Sequence, residues 1–290
     1  SYAAQECTEA MSALFSLDKG ELMKLHKSLG HISPERMARL LKNASTPDDP
    51  VDDETLELAK NIRKECQTCQ KTGPAPKHAK GSGVRSFRRG ERFVSDLIYV
   101  EHKRDNKKFT ILHIVDNFSR YQRAYILYDS QGKPIKNETP AEEKLKAMKF
   151  AFQKMRSDMG VPRCMYMDGD GMFNDQTFIN HLQNYGIKTE FSGPHAPWQN
   201  GMAERHGALL KLMIEQFYLD EEQEPSYQLA TSAPFEMVLN EIISKKNVFN
   251  IYASATCVTK KRLSKIILSS IERFASSNSK FNFTTFGFLS

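Results

Sequence analysis

Between Arg92 and Leu127 three β-rich runs follow one another with only short polar turns between them, and no helical period interrupts them. Arg92–Val100, Phe109–Val115 and Tyr121–Leu127 are dense in branched and aromatic residues, while Lys103–Lys107 and Asp116–Ser119 have turn composition. Three strands joined this way predict an antiparallel meander. The chain then alternates. Thr139-Pro140-Ala141-Glu142 reads as a capping box with proline at the first helical position, and Leu145, Met148, Phe152 and Met155 continue one apolar helical face to Gly160. Arg163–Met167 is a short strand ending at Asp168, Asp175–Tyr185 a helix stopped by Gly186, and Ile187–Ser192 another strand. The loop Gly193–Gly201 leads into a helix carrying Glu204, Leu209, Leu212, Met213 and Phe217. Strands and helices in this order predict an α/β fold: one mixed sheet with flanking helices.

Upstream the period is helical. Leu14, Leu17, Leu22, Leu25 and Leu29 fall near a 3.6-residue repeat, Ser33-Pro34-Glu35-Arg36 opens a second helix packed through Met37, Leu40 and Leu41, and a third spans about 54 to 64. The stretch from Lys71 to Gly90 is poor in apolar residues and rich in Pro, Gly and basic side chains, as a linker would be. These shifts predict a small helical domain at 1–70, a basic linker at 71–90, an α/β core at 91–250 and an atypical basic tail at 251–290.

Charge is unevenly spread. Of a net +6, nine Lys/Arg against two Glu lie between Arg63 and Arg92, and eight against one between Lys245 and Ser290. Such clusters suit a polyanionic partner, because each neutralised phosphate releases counterions; a solvated linker would carry the same charge. Five cysteines with a single close pair fit a reduced intracellular chain. No apolar run of about 18 residues and no signal peptide are present, so no membrane role is expected. A first residue of Ser rather than Met suggests a processed product or a fragment.

Two residue sets point to metals. His26 and His31, followed by Cys66-Gln67-Thr68-Cys69, supply two imidazoles and two thiolates, the ligand set of a closed tetrahedral zinc site. Zinc bound this way can contribute about 10–16 kcal/mol, enough to fold a module with little core of its own. A redox CxxC is the alternative, but it would follow a strand of a βαβ unit, and none precedes it. The second set is acidic. Asp96 lies within the first strand, Asp168 ends the fourth, and Glu204 opens the last helix, with 35 residues between it and Asp168. Two divalent ions roughly 3.5–4 Å apart, clamping the attacking and leaving oxygens of a phosphodiester, need several carboxylates converging on one spot. Asp116 competes with Asp96 but suits a turn acid before Asn-Phe-Ser. Asp170, between two glycines, suits a cap better than Asp168 does. Glu204 could equally be an ordinary first-turn acid facing the helix dipole.

The string Leu25-His26-Lys27-Ser28-Leu29-Gly30-His31 with Cys66-Gln67-Thr68-Cys69 resembles the pre-integrase zinc module of copia-type retrotransposon polyproteins. Asp96-Leu97, Val115-Asp116-Asn117-Phe118-Ser119-Arg120, Met167-Asp168-Gly169-Asp170-Gly171-Met172-Phe173 and Pro197-Trp198-Gln199-Asn200-Gly201-Met202-Ala203-Glu204-Arg205 resemble the integrase core in family order, over about residues 22 to 250. The resemblance implies a ribonuclease H-like core and an enzyme that trims the 3′ ends of element DNA and joins them to target DNA. It implies Asp96, Asp168 and Glu204 as catalytic ligands of two Mg²⁺ or Mn²⁺ ions, and His26, His31, Cys66 and Cys69 as ligands of a structural Zn²⁺. Trp198, Gln199 and Asn200 in the loop, with Lys211 beyond it, become candidate DNA contacts. A homo-oligomer acting in the nucleus after a cytoplasmic particle stage is also implied. The chain departs from the family where Ile98-Tyr99-Val100 stands in place of Gly-Pro, and after Ile251 the pattern is lost, as in a truncated or frame-disrupted copy. A catalytically silent DNA-binding or assembly protein is therefore the rival reading. A prokaryotic-type transposase would share the acids but not usually the zinc module.

Overall fold

The structure, a computed structural model of the chain, describes residues 17–44, 51–73, 86–102, 107–169, 171–192, 201–223 and 235–254. Two compact units divide the chain at Gln67. The first is helical. Helix α1 (Lys19–Ser28) starts from a capping box in which the Asp18 carboxylate accepts from the Glu21 amide at 2.7 Å and Glu21 accepts from the Asp18 amide at 3.1 Å. It ends at Gly30 and His31, both at positive φ, 71° and 55°. Helix α2 (Pro34–Ala44) begins on proline, and α3 (Asp53–Glu65) is capped by Asp52. Leu22, Leu25, Leu29, Met37, Leu41, Ala59 and Ile62 bury the faces between them. Leu14 lies outside the described residues. A short helix, α4 (Gln67–Thr72), carries the chain on past Cys66.

The second unit is built on a five-stranded mixed sheet with helices on both faces, the ribonuclease H-like arrangement. Strands β1 (Arg92–His102), β2 (Lys107–Asp116) and β3 (Gln122–Ile126) form the antiparallel meander. Strands β4 (Cys164–Met167) and β5 (Lys188–Phe191) add parallel to β1, giving the order β3-β2-β1-β4-β5. Helix α5 (Ala141–Met159) follows the meander, α6 (Gln176–Gln183) joins β4 to β5, and α7 (Gly201–Gln223) and α8 (Phe235–Ser254) follow β5. The strand side chains alternate. Phe93, Leu97, Leu112 and Ile114 pack with Met148, Phe152 and Met155 of α5 and Phe178 and Leu182 of α6. Ile98, Phe109, Ile111 and Ile126 pack with Leu210 and Ile214 of α7 and Val238, Leu239 and Ile242 of α8. Asp96 shares the parity of Ile98 and so belongs to the α7 face. Among the described residues no helix is long and apolar enough to cross a membrane.

Three details differ from the sequence reading. The capping box at Thr139–Glu142 does not form. Helix α5 starts one residue later, with Pro140 at the cap position and no side-chain cap, because the Thr139 hydroxyl closes a turn by accepting from the Lys136 amide at 2.9 Å. Glu142 instead pairs with Lys146 one turn on, at 2.8 Å. On α7 the buried stripe is Ala203, Gly207, Leu210, Ile214 and Tyr218, while Leu209, Leu212, Met213 and Phe217 stay partly exposed. Helix α8 is absent from the sequence reading, although Phe235, Val238, Leu239, Ile242 and Ile243 fall at helical spacing.

Helix α8 also closes a sheet edge. Asn247 accepts from the Gln122 amide at 2.9 Å and donates to the Gln122 carbonyl at 2.8 Å, filling the positions a neighbouring strand would take on β3. Replacing Asn247 with Ala leaves both buried backbone groups unpaired, and urea unfolding is expected to show a loss of about 2–3 kcal/mol. An unchanged midpoint would mean that water satisfies the edge equally well.

Candidate functional site

The acidic site is assembled by strand register. β4 pairs with β1 in parallel through Ser95↔Met167, so Asp96 and Asp168 are the next residues of adjacent strands, whose backbones run about 4.8 Å apart. Asp168 is exposed at the end of β4, and Asp96 is partly buried within β1. Helix α7 closes on the same place. A Cβ on Gly207 would stand 3.2 Å from Ile98 Cδ1 and 3.7 Å from Asp96 Oδ2, so a side chain there would have to push Ile98 aside, and glycine lets the helix lie this close to β1 without that shift. Glu204 sits one turn before Gly207 and Lys211 one turn after it, both exposed along the flank of the helix that borders Asp96.

The acids repel one another. Asp96 is pushed up to about 6, first by burial and then by the charges of Asp168 and Glu204, against the opposing effects of the Leu97 amide and Lys211. Directly across the ladder from Asp96 lies His113. It offers no compensating charge: burial, and then Lys246, hold its imidazole down to about 3, and it is neutral, with Nε2 2.9 Å from Gln122 Oε1. Two carboxylates placed side by side by strand register, with Glu204 and Lys211 on α7 near enough to act on Asp96, have the donor chemistry of a divalent-cation site, although among the described residues their oxygens are not already gathered at single-ion spacing. Asp168 is further constrained. Its Oδ1 accepts from the Gly169 amide at 2.8 Å and from the Ser192 hydroxyl at 2.7 Å.

Asp116 is occupied elsewhere. It is buried opposite Phe93, near the start of β1, where Oδ1 accepts from the Gly90 amide at 3.3 Å and Oδ2 from the Ser119 amide at 3.1 Å and the Ser119 hydroxyl. That is the work of a turn acid. Asp170 lies outside the described residues, as do Trp198, Gln199 and Asn200. Ser192 and Gly207 escape sequence reading, because their roles appear only once β5 lies beside β4 and α7 lies on β1.

A second constellation lies at the end of the helical module. His26 on α1, His31 just after it, Cys66 at the C-cap of α3 and Cys69 one turn into α4 are all buried, and their ligand atoms lie within 4.8 Å of one another. His31 Nδ1 is 3.3 Å from His26 Nε2 and 3.4 Å from Cys66 Sγ. Ligands on a tetrahedral ion with bonds of 2.0–2.3 Å are spaced by about 3.3–3.8 Å, so these separations fit zinc. The two thiols are not joined as a disulfide. The left-handed backbone at His31, unusual for a residue with a Cβ, lets its amide donate to the His26 carbonyl at 2.8 Å and brings both rings to the same point.

No family model matches the chain. It is similar to the Gag-Pro-Pol polyprotein of bovine leukemia virus, with 27% identity over 174 residues that cover 58% of this chain and 11% of the polyprotein. Among solved structures it resembles the simian T-cell lymphotropic virus intasome in complex with PP2A regulatory subunit B56 gamma, with TM-score 0.43 and 18% identity, over 77% of this chain and 66% of that one. It also resembles the HTLV-2 integrase catalytic core domain in complex with magnesium, in its trimeric form, with TM-score 0.41 and 18% identity, over 55% of this chain and 86% of that one. The chain thus spans about a tenth of the length of the curated relative. These relatives are retroviral, and the likeness to copia-type elements is carried by the sequence motifs alone.

The raised Asp96 carboxyl predicts a pH dependence in metal-free protein. Its pKa is about 6 when folded and about 3.9 when unfolded, so between those values the folded state holds the extra proton. Stability from this group is therefore lost as pH rises through that window. Asp96→Asn should stabilise the metal-free chain at pH 7 by about 1–2 kcal/mol once solvent screening is allowed for, and much less at pH 4. Denaturant melts at the two pH values measure the difference; a destabilised variant at pH 7 would contradict it.

Proposed function

We propose that the chain is a polynucleotidyl transferase of the integrase type, which processes the 3′ ends of an element's DNA and joins them to target DNA. The observation that carries this reading is the placement of Asp96 and Asp168 on adjacent strands, with the Glu204 flank of α7 closed against Asp96 through Gly207. Asp96, Asp168 and Glu204 would hold two Mg²⁺ or Mn²⁺ ions. Bound there, the ions would supply Lewis-acid stabilisation of the attacking and leaving oxygens of a phosphodiester, so no covalent protein intermediate is needed. The protein's own part is positioning. Asp96 and Asp168 are fixed by the β-ladder, Glu204 by the first turn of α7, and the Lys211 ammonium beside them suits a DNA phosphate. The similarity to a viral Gag-Pro-Pol polyprotein supports the same reading. The ordered motifs around His26–His31 and Cys66–Cys69 favour a copia-type element over a viral one, and the chain would act as a homo-oligomer on element-end and target DNA.

In this reading His26, His31, Cys66 and Cys69 form a closed structural zinc site with no open position for catalysis. Metal analysis should find one zinc per chain in the wild type and none in Cys69→Ala. Chelation should melt helices α1 to α3, seen as lost helical circular dichroism, because the apolar core of so small a module is marginal without the ion. Helicity that survives complete zinc removal would contradict the assignment.

The catalytic assignment is tested with short duplex DNA ends and Mg²⁺. Asp168→Asn and Glu204→Gln should each reduce strand joining by about 10²-fold or more while leaving circular dichroism and DNA affinity close to wild type. Joining that persists in either variant would refute it.

A further inference from the structure

We infer that Ser192 is a positioning residue for the Asp168 carboxylate. This rests on the metal-site reading above and adds to it a residue that none of the motifs contains. β5 pairs with β4 in parallel up to Phe191↔Met167, and the Ser192 amide extends the ladder by one step, donating to the Met167 carbonyl at 3.0 Å. Backbone register therefore places Ser192 beside Asp168 as firmly as it places Asp96 on the other side.

The hydroxyl uses that placement. Ser192 Oγ donates to Asp168 Oδ1 at 2.7 Å, and the Gly169 amide donates to the same oxygen at 2.8 Å. An exposed carboxylate at a strand end would otherwise rotate about Cβ–Cγ and sample several orientations. Two donors converging on Oδ1 select one orientation and leave Oδ2 as the oxygen for a cation. Groups that orient a ligand in this way commonly contribute about 10–100-fold in metal affinity when tested by mutation. The substitution Ser192→Thr would keep the hydroxyl, whereas Ser192→Ala would free the carboxylate.

Mn²⁺ titrated into the full, zinc-loaded chain and followed by calorimetry gives a readout independent of catalysis, with Asp168→Asn defining the signal from the acidic site. Ser192→Ala is expected to weaken that binding about 10-fold, Ser192→Thr to stay within about 2-fold of wild type, and both to melt as the wild type does without Mn²⁺. Should Ser192→Ala lower the metal-free melting temperature, Ser192→Cys, similar in size but a weak donor, reads the same quantity. Affinity unchanged in Ser192→Ala would overturn the inference, and tighter binding would do so too, by showing that the hydroxyl competes with the cation. If wild type and Asp168→Asn bind Mn²⁺ alike, the metal-site reading itself fails and the inference falls with it.

Discussion

The parallel pairing of β4 with β1 is the constraint on which the rest of the α/β unit depends. Aspartates are poor strand residues, and two of them side by side on inner strands of a hydrophobic sheet oppose folding through burial and mutual repulsion. They are held there because the Arg92–Ser95 and Cys164–Met167 ladders continue into large buried side chains such as Phe93, Met165 and Met167. The apolar packing beneath the site fixes the geometry of the charged groups above it. A one-residue slip in that register would turn Asp168 away from Asp96 and disassemble the site while leaving the sheet's composition unchanged.

Helix α7 works by the same logic on the opposite face. Its first turn carries an acid, its second a glycine and its third a lysine, and of these three the glycine is the buried one, facing Ile98 of β1. The close approach at Gly207 brings Glu204 and Lys211 to the rim of the acidic pair with their charged ends still in water. The neutral state of His113 completes the balance. A protonated imidazole across from Asp96 would supply an internal counter-charge, and its absence leaves Lys211 to oppose the repulsion among the acids; in the proposed reading a divalent ion would supply the rest.

The two proposed metal sites use opposite strategies. In the helical module, four soft or borderline ligands are buried and spaced for a tetrahedral ion, as a site that completes a small core requires. In the sheet unit, hard carboxylates lie partly open to solvent, as a site that must admit a polymeric substrate requires.

Much of this was legible in the sequence, and the reasons are local. Alternation and turn composition reveal the meander, and glycine stops and apolar periods reveal α5 and α6. His26, His31, Cys66 and Cys69 are recognisable because their chemistry is rare and their spacing short. Asp96, Asp168 and Glu204 are recognisable through the motifs that surround them. What escaped depends on strand order or close approach: Ser192 matters only because β5 lies beside β4, and Gly207 only because α7 descends onto Ile98. Helix α8 carries its period in Phe235, Val238, Leu239, Ile242 and Ile243, whereas the cap of α5 shifts because the Thr139 hydroxyl has a nearer partner in the Lys136 amide. The measurement that tests the central claim most directly is the anomalous diffraction of Mn²⁺-soaked crystals. The account predicts manganese peaks in contact with the carboxylates of Asp96, Asp168 and Glu204 together. Manganese bound elsewhere, with those three side chains directed away from one another, would contradict it.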